Sequence, residues 1–200
     1  MCFYFHQSKT ATELLHRFKA TFENDSVLLK SDYNAFEFPQ IPVITNKNPN
    51  TIQLFNWGLI PKWANNRDIR KNTLNARIET LSEKPSFRSS ITKRCLIPAD
   101  GFYEWQWLDA QGKQKQKYDI TLPNGELFAF AGLWSEWIDT TSGEIVHSCT
   151  IITTQANELM SVIHNTKKRM PVILQPNFEN DWLQGQAFQQ YNLDLIANKI

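Results

Sequence analysis

Between residues 94 and 154 the chain reads as a nearly continuous succession of β-prone runs broken by turn residues, and this stretch limits the fold more than any other feature. Residues 94–97 open it, and Pro98, which has no N–H for a ladder, is expected to stop that strand. Residues 101–108 and 115–122 read as strands joined across 109–112. Asn124-Gly125 is a strong hairpin signal, because a type I′ turn needs positive φ at both central positions, so 126–137 is expected to return beside 115–122. Another hairpin turns at 139–143 and comes back through the largely apolar run 144–154. Earlier, residues 2–6, 41–45 and 51–57 are β-prone, 57–63 reads as a partly buried loop, and 85–90 suits a short helix. Helical spacing flanks the whole: Leu14, Leu15, Phe18 and Phe22 follow Thr10 or Thr12 as N-cap, while Leu159, Met160 and Ile163 precede a short strand at 171–174 and a helical C-terminus from Pro176. Hairpins in the middle with helices at both ends point to an α+β fold of mainly antiparallel sheets curled into a partly closed barrel. Thirteen Phe and seven Trp in a chain that is 42% hydrophobic supply a sizeable core, and with no repeat or flexible linker residues 1–200 are expected to form a single domain.

Several function classes drop out. No stretch approaches the ~18 consecutive apolar residues that a bilayer needs, and no secretory pattern follows Met1, so a cytoplasmic protein with no membrane partner is expected. Cys2, Cys95 and Cys149 are too few and too far apart for a disulfide framework or a paired-cysteine metal site, and the four histidines show no ligand spacing; no metal and no cofactor is expected. The net charge of +1 hides an asymmetry: residues 62–94 hold nine basic side chains against three acidic ones. That window reads either as a face attracting polyanions or as ordinary solvated surface.

Cys2 is the most informative single residue. Removal of Met1 leaves one residue bearing both an α-amine, with a pKa of about 8, and a thiol, with a pKa of about 8.5. An aldehyde is the natural electrophile for that pair: the amine condenses to an imine and the sulfur closes on the same carbon to give a five-membered thiazolidine. The plain alternative is a cysteine that merely starts a buried strand.

Read in order, Met1-Cys2, Trp57-Gly58-Leu59-Ile60-Pro61, Asn75-Ala76-Arg77-Ile78-Glu79-Thr80, Arg94-Cys95-Leu96-Ile97-Pro98-Ala99-Asp100-Gly101-Phe102-Tyr103-Glu104-Trp105, Ala131-Gly132-Leu133-Trp134 and Arg169-Met170-Pro171-Val172-Ile173-Leu174 form a set that resembles the SOS response-associated peptidase (SRAP) family. Members of that family shield abasic sites in single-stranded DNA. The resemblance covers nearly the whole chain. It implies a covalent link from Cys2 to the ring-opened sugar of an abasic site, with AP-lyase cleavage and self-removal of Met1 as accompanying activities. It implies Asn75 as the amide that orients the amine and sugar, Glu104 as the acid/base carboxylate, His164 as the histidine assisting ring opening, and Arg77 as a phosphate ligand. Arg67, Arg70 and Arg169 are further candidates for phosphate attraction, and Trp57 and Trp63 for stacking on bases. The implied partner is single-stranded DNA containing abasic sites, met by a monomer in the cytoplasm that associates with the nucleoid when bound. Two departures stand out: Phe3 and Tyr4 follow Cys2 where many members have Gly and Arg, and His164 precedes Arg169 by five residues where two is usual. Two other readings compete, a cysteine peptidase or amidohydrolase with Cys2 as nucleophile and His164 as base, and a non-catalytic single-strand binder.

Overall fold

The computed structural model describes residues 2–24, 29–189, 191 and 193–200. Its strands and helices follow in the order β1 (Tyr4–His6), α1 (Ala11–Phe18), β2 (Thr21–Phe22), β3 (Asp32–Asn34), β4 (Gln40–Thr45), β5 (Thr51–Trp57), β6 (Asn75–Arg77), α2 (Pro85–Arg88), β7 (Arg94–Ala99), β8 (Gly101–Trp107), β9 (Lys115–Thr121), β10 (Phe128–Ile138), β11 (Ile145–Gln155), α3 (Glu158–Ile163), β12 (Arg169–Pro171), β13 (Ile173–Leu174), α4 (Pro176–Leu183) and β14 (Ile196–Lys199). Short 3₁₀ turns lie at Ala35–Glu37, Arg67–Asn72, Ile78–Thr80 and Pro123–Gly125. The α+β expectation holds. No helix among the described residues is long and apolar enough to cross a membrane.

Five strands close a ring. β11 pairs antiparallel with β10, β10 with β7, β7 with β4 and β4 with β5, and β5 returns to β11 as a parallel neighbour through Ser148↔Asn56 and Cys149↔Trp57. Alternation along the strands divides the core in two, as the pleat requires. Ile41, Val43, Phe55, Trp57, Cys95, Ile97, Phe130, Trp134, Cys149 and Ile151 fill one buried cluster. Ile44, Ile52, Leu96, Ala129, Ala131, Leu133 and Ile152 point to the other, where Leu14 of α1, Phe87 of α2, and Trp182 and Leu183 of α4 cover them. Position 132 is glycine on the inward face because a Cβ there would come within 2.7 Å of Cys95 Sγ and 2.9 Å of Ile97 Cδ1.

The remaining strands form a second antiparallel sheet in the order β14-β9-β8-β1-β3. Its buried face adds Phe5, Tyr33, Phe102 and Ile120 to the barrel's inner cluster, with the Phe5 ring 5.3 Å from Trp57 and 5.8 Å from Phe130.

Local signals hold well where neighbours in sequence are neighbours in space. Thr10 caps α1 in a full capping box with Glu13, and the 101–108/115–122 and 126–137/144–154 hairpins form as β8–β9 and β10–β11. Phe22 leaves the helical pattern and pairs in β2 beside β5. Asn124 and Gly125 do take positive φ, 60° and 61°, yet β10 does not return beside β9. The turn passes the chain from one sheet to the other, because β10 is apolar on both faces and belongs between β7 and β11, while β9 is flanked by β8 and β14. Nor does Pro98 stop β7. Ala131 gives its N–H to Val172 (2.9 Å), away from β7, so the Pro98↔Ala129 pair two residues on is likewise a non-hydrogen-bonded one; Pro98 owes no donor to β10 and turns its nitrogen towards β4, whose pairing with β7 ends at Leu96.

The chain crosses between sheets at Asp100, and that corner is pinned. His6 on β1 contacts Asp100 Oδ1 through Nδ1 (2.7 Å) and Asp119 Oδ1 on β9 through Nε2 (2.9 Å), while Ser8 donates its N–H and hydroxyl to Asp100. Gly101 leaves room for the ring, since a Cβ there would fall 2.2 Å from Nε2. Burial opposes the charged imidazole, but the two carboxylates outweigh it and raise the pKa of His6; burial likewise opposes the Asp100 anion, but His6 and Ser8 bring that carboxyl down to about 2. A raised folded pKa stabilises below the unfolded value of about 6.5 and is lost as pH rises through the folded one; a depressed carboxyl stabilises above about 3.9 and is lost towards 2. His6→Gln is therefore expected to cost about 1–3 kcal/mol between roughly pH 4 and 6.5, with the gap to wild type narrowing on the alkaline side in denaturant titrations across pH.

Candidate active site

Four segments remote in sequence meet where the second sheet joins the barrel. Cys2 lies just ahead of β1 and is fully buried. The register of β1 on β8, Phe5↔Phe102 and His6↔Gly101, places residue 3 opposite Glu104 when continued past the ladder. Glu104 is buried because it shares the inward face of β8 with Phe102, and its Oε1 accepts the N–H of Trp105 (3.2 Å). Asn75 opens β6, which runs parallel to β11 through Ile151↔Asn75. Its Nδ2 donates to the carbonyl of Cys2 (2.9 Å), and its Oδ1 is buried with no hydrogen-bond partner among the described residues. An orphaned buried acceptor costs about 1–3 kcal/mol, so this oxygen favours any ligand that brings it a donor.

His164 ends α3 and is also buried. The backbone N–H of Arg169 donates to its Nδ1 (3.0 Å), and the carbonyl of Arg169 lies 2.9 Å from the same atom. A backbone N–H only donates, so the neutral ring carries its proton on Nε2, whereas the protonated ring turns Nδ1–H onto the carbonyl. Both states are satisfied without moving the ring. The five-residue spacing from His164 to Arg169 is taken up by a turn held to the end of β8: Asn165 donates Nδ2 to Trp107 O (2.8 Å) and accepts the Trp107 N–H (3.2 Å).

A cleft of about 270 Å³ opens beside Glu104 and His164, lined among others by Phe3, Trp105, Trp107 and Lys167; Cys2 and Asn75 lie outside its lining. Burial pushes the Cys2 thiol well up, and the charge of Glu104 pushes it further. Burial lowers the pKa of His164, with the same carboxylate opposing. The resting site thus holds a neutral thiol and a neutral imidazole within the field of one carboxylate. Among the described residues no group of three or more His, Cys, Asp or Glu side chains is placed to hold a metal ion.

A sequence model of the family described as SOS response associated peptidase (SRAP) matches residues 1–199. The chain belongs to this family. Among relatives, this SRAP chain is 49% identical over 144 residues to the abasic site processing protein YoqW of Bacillus subtilis (strain 168), covering 72% of this chain and 62% of that one. It is 33% identical over 183 residues to the abasic site processing protein HMCES of Xenopus tropicalis, covering 76% and 53%. The SRAP chain therefore spans about three fifths of the Bacillus protein and about half of HMCES. A crystal structure of a protein from Bacteroides thetaiotaomicron superposes with a TM-score of 0.88 at 35% identity, over 100% of this chain and 92% of that one. One from Bordetella bronchiseptica gives 0.84 at 26% identity, over 100% and 99%.

The other candidate residues of this SRAP chain scatter. Arg77 follows Asn75 at the strand period of two, is exposed, and its side chain makes no hydrogen bond or ion pair among the described residues. Trp63 is 56% exposed and donates Nε1 to Pro85 O (3.2 Å). Trp57 is not a surface ring: it fills the barrel and donates Nε1 to Leu74 O (2.8 Å), so it has no face to offer a base. Arg169 is also corrected. Its guanidinium is buried in a two-pronged pair with Glu79 (2.8 and 2.9 Å), behind His164 rather than on the cleft surface. Arg67 pairs with Glu144 and Asp139, Arg70 lies over the Phe38 ring at 4.7 Å, and neither lines the cleft.

Sequence reasoning assigned no role to Trp107, Lys115 or Thr166, which line the cleft. The alternation of Tyr103, Trp105 and Trp107 along β8 carried a usable signal for the tryptophan; the register that brings β9 and the 165–168 turn alongside had none. Trp57→Ala is expected to cost about 3–5 kcal/mol in denaturant unfolding, whereas Trp63→Ala should stay within about 0.5 kcal/mol.

Proposed function

We propose that this protein captures abasic sites in single-stranded DNA covalently through Cys2. The observation that carries the reading is the grip of Asn75 on the Cys2 carbonyl beside a buried Oδ1 that has no hydrogen-bond partner among the described residues. One amide holds the nucleophile and keeps an acceptor ready for the amine or a sugar hydroxyl. The abasic-site names carried by relatives at 49% and 33% identity support the substrate class.

The chemistry needs a free α-amine on Cys2. Removal of Met1, expected from the sequence, lies outside the described residues. The amine nitrogen attacks the aldehyde carbon of the ring-opened sugar to give a carbinolamine. Glu104 moves a proton from nitrogen to the departing oxygen, water leaves, and an imine forms. The thiol then adds across the C=N bond, sulfur to carbon and its proton to nitrogen, which closes the thiazolidine. Because burial keeps the sulfur protonated, nitrogen reacts first. During ring opening the protonated form of His164 gives its Nε2 proton to the ring oxygen as the C1′–O4′ bond breaks and the C1′ hydroxyl releases its proton to water; reversal runs the same transfers backwards, and Arg169 offers Nδ1 a carbonyl when the ring is charged and an N–H when it is neutral. From the imine, removal of the C2′ proton expels the 3′ phosphate, so lyase cleavage competes with ring closure. Arg77 binds a flanking phosphate, with Lys167 and Lys115 adding positive charge beside the cleft.

Incubation with an abasic oligonucleotide is expected to give a heat-stable adduct that Cys2→Ala abolishes; an equally stable adduct from that variant overturns the linkage. Glu104→Gln should slow adduct formation about 10²-fold or more while making the Cys2 thiol more acidic in alkylation–pH profiles. That opposition separates a proton shuttle from a base that merely ionises sulfur. Arg77→Ala should weaken intact and abasic strands alike and reduce the salt slope by about 0.7.

A further inference from the structure

His164 and Asn75 lie on segments far apart in sequence, and one ion pair ties them together, its guanidinium buried and its carboxylate 41% exposed. The backbone of Arg169 cradles His164 Nδ1. The side chain of the same residue is anchored elsewhere. Nη1 and Nη2 donate to the two carboxylate oxygens of Glu79 (2.8 and 2.9 Å), and Nη2 also donates to Thr153 O (2.8 Å) and Thr153 Oγ1 (3.2 Å). Glu79 sits in the 3₁₀ turn Ile78–Thr80 that directly follows β6, the strand of Asn75 and Arg77. Thr153 is the β11 partner of Arg77, and its hydroxyl donates to Ala76 O (3.4 Å). Fork-to-fork pairing of this kind fixes direction as well as distance.

We infer that Glu79 is a positioning residue: by gripping Arg169 it fixes the backbone cradle that sets the tautomer and orientation of His164 relative to Asn75. Glu79 does not line the cleft and meets no reacting atom. Its effect passes through Arg169. While the cradle is in place, the neutral ring carries its proton on Nε2 and the charged ring finds the Arg169 carbonyl. Released, the ring loses both partners, and the two neutral tautomers become closer in energy. The charged or titratable side chains facing His164 among the described residues are Glu104 from β8 and Lys167 from the following turn; neither changes when Glu79 is altered.

The inference rests on the proposed function only for the proton-transfer role of His164, so its test has an arm without DNA. Glu79→Gln keeps the shape and removes the charge. In ¹⁵N-histidine NMR of the DNA-free protein, wild-type His164 should show the Nε2–H tautomer. The variant should show a mixture, with the titration midpoint moved towards acid by about half a pH unit because Nδ1–H has lost its acceptor. Adduct formation at neutral pH should fall about tenfold, with affinity for an intact strand unchanged. Glu79→Asp, which keeps the charge, should recover most of the rate and the tautomer, and it carries the test if the glutamine variant fails to fold. If thermal stability drops while tautomer and midpoint stay at their wild-type values, Glu79 is a plain structural ion pair and the inference is overturned. Absence of any adduct from wild-type protein counts against the capture chemistry instead, and the tautomer still decides the role of Glu79.

Discussion

The parallel pairing of two separated segments along one edge of β11 is the constraint on which the rest depends. β5 pairs with Ser148 and Cys149, the chain leaves as the 58–74 excursion, and β6 resumes on Ile151 to Thr153. The excursion is stapled at its base: Gly58 donates to Cys149 O (2.9 Å), Ile151 to Leu74 O (3.3 Å), Thr73 Oγ1 to Leu59 O (2.7 Å) and Trp57 Nε1 to Leu74 O (2.8 Å). A single interrupted strand thereby closes the barrel with its first half and presents Asn75 with its second. Parallel neighbours need a long connection, and the one from β5 to β11 runs through residues 58–144, which hold the whole basic window. Without this pairing the barrel stays open and Asn75 has no fixed relation to Cys2.

Burial then sets the chemical character of the site. The fields of thiol, imidazole and carboxylate oppose one another in an ordered way: Glu104 holds back ionisation of Cys2 and favours protonation of His164, while desolvation favours the neutral form of both. In the proposed chemistry a proton reaching Glu104 relieves the thiol at the moment the imine needs it. In that chemistry amine attack and sulfur closure are coupled through one carboxylate, and the proposed order, nitrogen before sulfur, rests on burial rather than on the intrinsic reactivity of either atom. The ion pair of Glu79 with Arg169 extends the same logic outward, since a buried guanidinium that makes four hydrogen bonds is a rigid anchor for the backbone beneath His164.

Much of this was legible in the sequence, and the omissions share a physical cause. The hairpins β8–β9 and β10–β11, the capping box of α1 and the alternation within the barrel strands are local or nearly local, and the residues announce them. The Asn124-Gly125 turn shows the limit: its φ angles were readable, its partner strand was not, because two-sided burial of β10 is decided by neighbours far away in sequence. The short strands β2, β3, β6 and β14 carry too few residues for a period to show, and β6 holds Asn75. Cys2, Asn75, Glu104 and His164 came from chemistry and an ordered set of motifs; their meeting point came only from the register of β1 on β8 and β6 on β11. Trp57 and Arg169 were misplaced for one reason. An aromatic ring or a guanidinium has the same appearance in a sequence whether it faces solvent or is satisfied inside.

The central claim is that one sugar carbon becomes bonded to both the nitrogen and the sulfur of residue 2. The most direct measurement combines intact mass with ¹³C NMR of the adduct formed between protein isolated from cells and an abasic strand labelled at C1′. The account predicts a mass equal to the chain without Met1 plus the strand less one water, and a labelled carbon bonded to nitrogen and sulfur together. A chain that retains Met1 and forms no adduct, or a carbon joined to a lysine nitrogen, contradicts it.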